Sequence, residues 1–552
     1  MANTTDILPL SSHGRVLLAL QNRIQRIHAA FWRQVDRVGV WLDAREALLV
    51  ACLVLAYIVI VFPIAYFRPL WHDELFTYNI GLSDNLTQMM DNLRRVDLNP
   101  PLIYILNYVT LRLPGALAND HTASLAARLP SIAGGLMASL GVFVLLRRRI
   151  GPLFSCATVV LLWNTLFLPY ACEDRPYALV CGLLVLLAIA WQHATQAGRN
   201  PLWVAAVCCI GCGLLGSHFM GSFLLLAFVV AEVAQIWQRR RLDISLCFAL
   251  LVPFAIPMLY RGMISTTGST IYPLAFQPSG WTFVVEYLVL LGTSLILFIV
   301  SWVLCLEANT TPESVDLAPS HLTPSSVPPT LPEWLLLIVV LLEPMMFTAL
   351  FMLRHAAFFG RYGLPGCIPL AILLVLFLYR RFHGLRRTAV VLLAVSALTL
   401  LVYPIGSITR AIRGGSESDS SKHSWSQVSP ELPLVAASGL TFVEMNHRES
   451  SDLLRRTYYL TDRQAAIAYA HATLFENEAE TSRIFHFRGQ VLDLRSFEAT
   501  HSRFLVLGTL DYPEDWLLRK LLADGASLRL LGKYETSYKD KSLYEVTLNQ
   551  KP

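Results

Sequence analysis

Apolar runs of about 20 residues recur along this chain, and they constrain its fold more than any other feature. A helix that crosses the hydrocarbon core of a bilayer needs about 20 mostly apolar residues. Only 15% of the residues are charged, whereas soluble domains usually carry about 25%. The sequence therefore predicts a polytopic α-helical membrane protein with about 11 transmembrane helices. The predicted spans lie near Leu48–Phe67, Ser124–Leu146, Leu153–Ala171, Tyr177–Gln196, Leu202–Gly216, Phe219–Trp237, Ile244–Tyr260, Trp281–Leu306, Trp334–Leu353, Tyr362–Tyr379 and Thr388–Ile405.

The distribution of arginine predicts the orientation of these helices. Loops on the cytoplasmic side of a membrane are enriched in Lys and Arg. Residues 1–47 form a basic amphipathic segment that we expect on the cytoplasmic face. With the predicted spans, every later basic cluster falls on that same side. These clusters are Arg147–Arg149, Arg239–Arg241, and Arg380, Arg381, Arg386 and Arg387.

The same map divides the chain into regions. The transmembrane domain covers residues 48–406, with a first outer loop at 68–123 and a cytoplasmic linker at 307–332 that is rich in Ser, Thr and Pro. Residues 413–552 form a second, extracytoplasmic unit. Its alternating and apolar runs predict a soluble α/β domain. The predicted strands are Pro433–Leu440, Arg503–Gly508, Ser527–Tyr534 and Ser542–Leu548, and the predicted helices are Asp462–Glu480 and Pro513–Leu522.

Polar residues that could carry chemistry gather in the predicted outer loops. Asp73 and Glu74 follow the first span directly, and adjacent carboxylates can supply a general base and a metal or substrate ligand. The alternative is a solvated acidic pair at a helix start, where acids suit the helix dipole. Further along the same loop, Asp97 and Asn99 precede tandem prolines, with Tyr104 shortly after. Those prolines stiffen the chain and fix both side chains, although a simple turn would also place an Asx residue there.

Three other positions in the predicted outer loops also hold candidate catalytic or binding residues. Glu173, Arg175 and Tyr177 lie in a very short turn, where a local ion pair is the alternative explanation. His218 divides two spans, and a lone histidine is more often a structural hydrogen-bonding group than a ligand. The last position holds cations on the side where positive charge is unexpected. Arginine binds phosphate with two parallel hydrogen bonds, so an anionic lipid headgroup is a candidate ligand there. The residues at this last position are Arg354, His355, Arg361 and Tyr362.

Taken in order, these pieces resemble one family. An acidic pair after the first span, an Asp-x-x-Pro-Pro-Leu-x-Tyr stretch, a Glu-x-Arg-x-Tyr turn, a histidine between spans and a late Arg-Tyr-x-x-Pro are similar to the GT-C glycosyltransferases that use polyprenyl-phosphate sugars. The chain resembles in particular the protein O-mannosyltransferase and aminoarabinose transferase group and its bacterial members. The resemblance covers roughly Leu48–Pro365. It implies a bacterial inner-membrane enzyme that acts at the extracytoplasmic face.

The resemblance also implies roles for individual residues. Asp73 would activate the acceptor, and Glu74 would support it or bind a divalent metal ion together with His218. The donor would contact the remaining motif residues, with Arg361 and Tyr362 against the lipid phosphate. These residues are Asp97, Asn99, Tyr104, Glu173, Arg175, Tyr177, Arg354, His355, Arg361 and Tyr362. Relatives often carry His or Lys at the position of Asn99, so this chain departs from the family there.

A single base with no covalent nucleophile predicts inverting transfer of a sugar in one displacement. The partners would be a polyprenyl-phosphate-linked sugar, membrane lipids and an extracytoplasmic glycan, lipid or protein acceptor, with no nucleic acid. Three other functions remain open from the sequence. They are a polysaccharide polymerase or ligase, a transporter or flippase of lipid-linked sugars, and a membrane scaffold without catalysis.

Overall fold

A computed structural model of the chain describes residues 12–97, 99–196, 198–260, 277–308, 329–355, 357–402, 406, 409, 428–471, 478–512, 514–536 and 539–549. The described residues before 403 are mostly helical. Its helices are α1 (Ser12–Asp43), α2 (Glu46–Phe67), α3 (His72–Gly81), α4 (Leu86–Val96), α5 (Leu102–Thr110), α6 (Asp120–Ile150), α7 (Pro152–Trp163), α8 (Phe167–Ala171), α9 (Tyr177–Ala194), α10 (Pro201–Ser217), α11 (Gly221–Arg239), α12 (Ile244–Leu251), α13 (Ile256–Leu259), α14 (Thr282–Leu291), α15 (Ser294–Ala308), α16 (Leu331–Arg354), α17 (Cys367–Arg381) and α18 (386–402). Two 3₁₀ helices cover Val252–Ala255 and Gly360–Gly366.

Several of these helices are long and apolar enough to span a membrane. Within the described residues six helices meet that test, or seven if the bent pair α14 and α15 forms one span. This pair bends by 66° at Gly292, where the predicted span Trp281–Leu306 is interrupted. Shorter apolar helices fill other predicted spans, including α7, α10 and α12. The chain is therefore a multi-pass membrane protein, and most of the predicted linker at 307–332 lies outside the described residues.

The helical bundle is packed most closely where α6 crosses α9. A Cβ atom placed on Gly134 would lie 2.4 Å from the Cα atom of Leu179, and one on Gly182 would lie 2.5 Å from the carbonyl oxygen of Gly134. Small residues allow such backbone contact between membrane helices. The approach holds the start of α9, and the turn before it, against the middle of α6.

The C-terminal part is an α/β domain, as predicted. In the described residues its six-stranded sheet has the order β3-β2-β1-β4-β6-β5, with β1 to β4 parallel and the remaining pairs antiparallel. The strands are β1 (Leu434–Ala436), β2 (Thr457–Thr461), β3 (Gln490–Asp493), β4 (Arg503–Gly508), β5 (Ser527–Thr536) and β6 (Lys539–Thr547). The helices are α19 (Gly439–Arg448), α20 (Ser451–Leu454), α21 (Arg463–Ala470), α22 (Glu478–Ile484), α23 (Leu494–Glu498) and α24 (Trp516–Ala523).

Four of these strands lie where the sequence predicts them, whereas β2 and β3 were not predicted. The predicted helix Asp462–Glu480 contains α21 and only the first turn of α22, and residues 472–477 between them lie outside the described residues. Apolar residues cover both faces of the sheet. Phe504 and Val506 point to one side, and Leu505 and Leu507 to the other. A strand with no polar face is typical of a parallel sheet between two layers of helices.

The α/β domain docks on two of the short helices that follow the first span, α3 and α4. Val443 of α19 packs against Leu70 and Leu75. Arg448 donates a hydrogen bond of 2.5 Å to the carbonyl oxygen of Leu70. Aromatic contacts join Phe76 to Phe485 and Tyr78 to His447, with ring centroids 5.8 and 5.6 Å apart. The start of α3 is therefore enclosed by both parts of the molecule.

Candidate active site

Glu74 is fully buried at the start of α3 and is held by basic side chains. Arg128 donates to both of its oxygens, from Nε at 2.8 Å and from Nη2 at 2.7 Å. The backbone N–H groups of Asp174 and Trp71 donate to the same carboxylate at 2.7 and 3.2 Å. Burial raises the pKa of Glu74, but Arg128 and Arg68 outweigh it and lower that pKa to about 2. The carboxylate is a charged structural anchor whose oxygens already have donors.

Arg128 is one of the residues of this site that the motif analysis missed. Its side chain is fully buried in α6. Besides Glu74, its guanidinium donates to the carbonyl oxygens of Ala65 and Arg68, each at 2.6 Å. It thereby ties the end of the first span to α3. The signal was present, because an arginine within an apolar helix is costly unless it has a function or a partner.

Asp73 points to the opposite side and forms an ion pair with Arg361. Arg361 Nη1 lies 2.9 Å from Asp73 Oδ2, and both side chains remain partly exposed, at 17% and 19%. The 3₁₀ helix Gly360–Gly366 carries this arginine to the start of α3. Burial raises the pKa of Asp73, but the charges of Arg361, Arg175 and His72 outweigh burial, so its pKa is lower than the ordinary value. Asp73 is therefore a carboxylate at neutral pH.

Arg175 connects Asp73 to the second motif of the loop. Its Nη1 donates to the backbone oxygen of Asp73 at 3.0 Å and lies 3.7 Å from Asp97 Oδ2. Tyr104 OH donates to the same Asp97 oxygen at 2.6 Å, and Asn99 Nδ2 donates to the other at 2.8 Å. The structure thus places these four predicted residues in one network beside Asp73.

The turn before α9 also supplies buried acids. Glu173 lies 3.4 Å from Arg68, and burial raises its pKa to about 7, with Arg68 acting in the opposite direction. Asp174, which was not among the candidates, accepts a hydrogen bond of 2.7 Å from Asn107. Burial and the charge of Glu74 raise its pKa well above the ordinary value. Arg68 and the backbone of Asp174 attach this turn to the carboxylate of Glu74.

An aromatic cluster forms the side of the site that faces the bundle. Tyr177 contacts His218 and Tyr362, with ring centroids 5.5 and 6.5 Å apart, and Tyr362 lies 5.9 Å from His218. Burial, together with Arg175 and Arg361, lowers the pKa of His218 to about 3, so its imidazole is neutral. Its Nδ1 accepts a hydrogen bond of 3.1 Å from the backbone N–H of Met220. Three predicted residues from separate elements therefore meet here.

Arg354 and His355 do not join this network. Both are exposed at the end of α16, and within the described residues neither makes a hydrogen bond or ion pair with Asp73, Arg361 or Arg175. His355 adopts a left-handed backbone conformation that ends the helix, and its carbonyl oxygen accepts from Gln277. Their predicted contact with a donor stays a prediction.

The predicted metal ligands fit a cation poorly. No group of three His, Cys, Asp or Glu side chains in the described ranges is arranged to hold a metal ion. Both oxygens of Glu74 accept hydrogen bonds from Arg128, whose positive charge would repel a metal ion at the same place. Glu74 is therefore not available as a ligand for a divalent cation.

No family model matches the sequence, and no curated protein matches it significantly. The fold, however, matches solved structures. ArnT from Cupriavidus metallidurans bound to undecaprenyl phosphate aligns with 90% of this chain and 97% of its own, at 13% identity and a TM-score of 0.51. The apo state of that protein aligns with 92% and 98%, at 13% identity and a TM-score of 0.50. An oligosaccharyltransferase from Archaeoglobus fulgidus, in complex with zinc and sulfate, reaches a TM-score of only 0.38 at 11% identity, covering 82% of this chain and 67% of its own. The chain thus has an ArnT-like fold, and the predicted GT-C resemblance is confirmed at the level of the fold.

Proposed function

We propose that this chain is a membrane glycosyltransferase that moves a sugar from a polyprenyl-phosphate donor to an acceptor at the extracytoplasmic face. The observation that carries the proposal is the ion pair between Asp73 and Arg361. It joins a carboxylate that can accept a proton to an arginine that can bind phosphate. The ArnT-like fold supports the choice of donor, since ArnT has been solved with undecaprenyl phosphate.

The proposed reaction is a single displacement with inversion. An oxygen of the acceptor attacks the anomeric carbon, the bond from that carbon to the phosphate oxygen breaks, and the electron pair stays on the lipid phosphate. Asp73 takes the proton that the acceptor oxygen loses. Arg361 stabilises the charge that develops on the phosphate. A guanidinium has five N–H donors, so Arg361 can bind the phosphate and still contact Asp73.

The remaining residues hold these two groups in place. Glu74 and Arg128 anchor the start of α3, so that Asp73 faces the open side. Arg175 and Asp97 join the two motifs of the outer loop, and we propose that this network, with Asn99 and Tyr104, contacts the donor sugar. Tyr177 and Tyr362 form an aromatic wall toward the bundle, where the first isoprene units of a lipid would lie. We propose that Glu173, which is close enough to Asp73 to be affected by its charge, also contacts the donor.

A panel of radiolabelled polyprenyl-phosphate sugars, supplied to membranes that contain the protein, tests this function. We expect the wild type to transfer label from at least one donor and Asp73→Asn to transfer none. The matched control is Asp84→Asn, which changes an exposed carboxylate of the same outer loop and should transfer normally. Equal labelling by wild type and Asp73→Asn would remove Asp73 from the mechanism.

One observation favours a transporter as the second candidate. Glu286 and Glu343 are buried, at 4% and 2% exposure, in helices α14 and α16. Ionisable groups within membrane helices often mark a transport path. A transporter would move labelled lipid-linked sugar across vesicles and would not require Asp73. Transfer of label to a new acceptor would exclude that function as the whole activity.

A further inference from the structure

Glu444 of the α/β domain holds the residue that precedes Asp73. Its Oε1 accepts the backbone N–H of His72 at 3.0 Å and contacts His72 Nδ1 at 2.9 Å. A carboxylate can only accept, so the proton of the imidazole lies on Nδ1. The backbone N–H is one of those that the first turn of a helix leaves without a partner. Glu444, which is 95% buried, therefore caps α3 from another domain and fixes the tautomer of His72.

The orientation of His72 reaches Asp73 directly. His72 Nε2 lies 3.7 Å from Asp73 Oδ1, while Arg361 Nη1 lies 2.9 Å from Asp73 Oδ2. The carboxylate thus has the imidazole at one oxygen and the guanidinium at the other. A side chain flanked on both sides has little freedom to rotate. The angle from which Asp73 meets an acceptor therefore depends on His72, and through it on Glu444.

The topology of the sheet brings a second acid to the same place. Strand β1 lies between β2 and β4 in the sheet, so the strand order reverses direction between β1 and β4. Open α/β sheets bind ligands in the crevice at the carboxyl ends of the strands at such a switch point. Glu444 follows β1, and Glu514 follows β4. Burial raises the pKa of Glu514 to about 7. The charge of His72 lowers this pKa and the charge of Asp73 raises it. Tyr512 donates to Glu514 at 3.2 Å.

Acidic groups face His72 from three elements among the described residues. Asp73 faces it from its own helix, Glu444 from α19, and Glu514 from the loop after β4. Arg448, one turn after Glu444, lies 3.6 Å from Glu444 Oε2. Arg448 also donates a hydrogen bond to the carbonyl oxygen of Leu70. The contact between Glu444 and His72 thus connects the two domains at the residue next to the proposed base, Asp73.

We propose that Glu444 is a positioning residue of the transferase, and that by holding His72 it fixes the Asp73 carboxylate for proton transfer. The α/β domain is then part of the active site. This inference rests on the proposed function. It assigns Glu444 no contact with the reacting atoms, since its effect passes through His72.

Steady-state kinetics of the full chain in membranes test the inference, with the donor that the wild type uses. We expect Glu444→Met to lower kcat about tenfold or more, because small misplacements of a catalytic group cost rates of that order, and to leave KM for the donor unchanged. Glu444→Gln retains an acceptor oxygen and should recover most of that kcat. The matched control is Glu480→Met, which removes another carboxylate that joins the domains, through Arg95 at 3.1 Å.

If Glu444→Met folds poorly, a second variant still tests whether Glu444 acts on Asp73 through His72. His72→Asn removes the imidazole and leaves Glu444 in place, so it should lower kcat to a similar extent. The double variant should then lose no more than either single variant, as expected for residues that act through one another. If Glu444→Met or His72→Asn turns over at the wild-type kcat while Asp73→Asn is inactive, the inference is wrong and the proposed function stands. If the wild type transfers from no donor, both fail.

Discussion

The two adjacent acids of the first motif have different environments, because neighbouring residues of a helix point about 100° apart. Glu74 turns inward to Arg128, and Asp73 turns outward to Arg361. The oxygens of Glu74 are occupied by structural hydrogen bonds, whereas the carboxylate of Asp73 is available for chemistry. A residue pair that looks equivalent in the sequence therefore has one structural member and one member that we propose as catalytic.

Glu74→Gln should destabilise the protein strongly. The substitution leaves Arg128 buried without a counter-charge, and breaking a buried ion pair costs about 3–5 kcal/mol. The measurement is thermal unfolding of the purified protein in detergent. Arg94→Gln, which opens the exposed pair with Asp91 (60% and 55% exposed), should change stability by no more than about 0.5 kcal/mol. Equal effects of the two substitutions would show that Glu74 is not an anchor.

The pH dependence of kcat/KM should show a base with a low pKa. Because the pKa of Asp73 lies below its ordinary 3.8, the carboxylate stays charged as the pH falls from 7 toward about 4. Asp73 should therefore contribute no acid limb in that range. Arg361→Gln removes the largest charge that lowers this pKa and leaves the effect of burial, so the acid limb should move to higher pH.

Glu173→Gln is the control for this profile, because burial raises the pKa of Glu173 to about 7. A limb near neutral pH that disappears in this variant belongs to Glu173. Wild-type and Arg361→Gln profiles with the same acid limb would mean that Arg361 does not act on the base.

The sequence predicted which residues gather around Asp73 better than it predicted what each one contacts. Arg175, Asp97 and Arg361 were chosen from short motifs, and the structure brings them together. Short motifs could not reveal the partner of Glu74. Arg128 lies in another helix, α6, outside all of these motifs, and it contacts Glu74 only after α6 has packed against α3. Arg354 is a candidate by its charge alone, and charge does not determine which side chains an arginine contacts.

At the scale of elements, apolar length predicts where a helix lies but not where it breaks. The run Trp281–Leu306 is continuous in the sequence, and the structure divides it at Gly292 (φ 53°), a backbone conformation that favours glycine. The strands β2 and β3 were missed for a related reason. Both are short, and the polar residues within them hide the apolar pattern that marked β4.

The crossing of α6 and α9 gives an element-scale prediction. Gly134→Ala should lower the unfolding temperature, because the new Cβ would lie 2.4 Å from the backbone of Leu179 and the helices must separate. The expected cost is about 1–3 kcal/mol. Gly213→Ala is the matched control in α10, where the nearest atom would be 3.7 Å away. That variant should be neutral or slightly stabilised, since alanine favours helix more than glycine does. Equal unfolding temperatures would contradict the close crossing.

At the scale of the whole molecule, the account requires the active site and the α/β domain to lie on the side opposite the basic clusters. Intact cells treated with a membrane-impermeant maleimide should label Asp524→Cys and should not label Arg148→Cys until the membrane is opened. Both positions are exposed, so access and not burial decides the outcome. The access of the maleimide to each introduced cysteine is measured as labelling above that of the wild type. The reverse pattern would place the site in the cytoplasm and exclude an extracytoplasmic reaction.

The domains also depend on each other, since the helix that carries Asp73 is capped by a residue of the other domain. The membrane bundle supplies Arg361 and the aromatic wall, and the α/β domain supplies the contact that orients the start of α3. Sequence patterns predicted both units separately. Their contact could not be predicted, because neither His72 nor Glu444 carries a pattern that refers to the other.

Donor binding and sugar transfer, measured in the same preparations, show whether Asp73 and Arg361 act in one catalytic site. Purified wild type, Asp73→Asn and Arg361→Gln would each be titrated with undecaprenyl phosphate and assayed for transfer from a labelled polyprenyl-phosphate sugar. We expect Asp73→Asn to bind the lipid phosphate and to transfer nothing, whereas Arg361→Gln should bind it much more weakly. Asp73→Asn with wild-type transfer, or Arg361→Gln with wild-type binding, would contradict the claim that these two residues form one catalytic site.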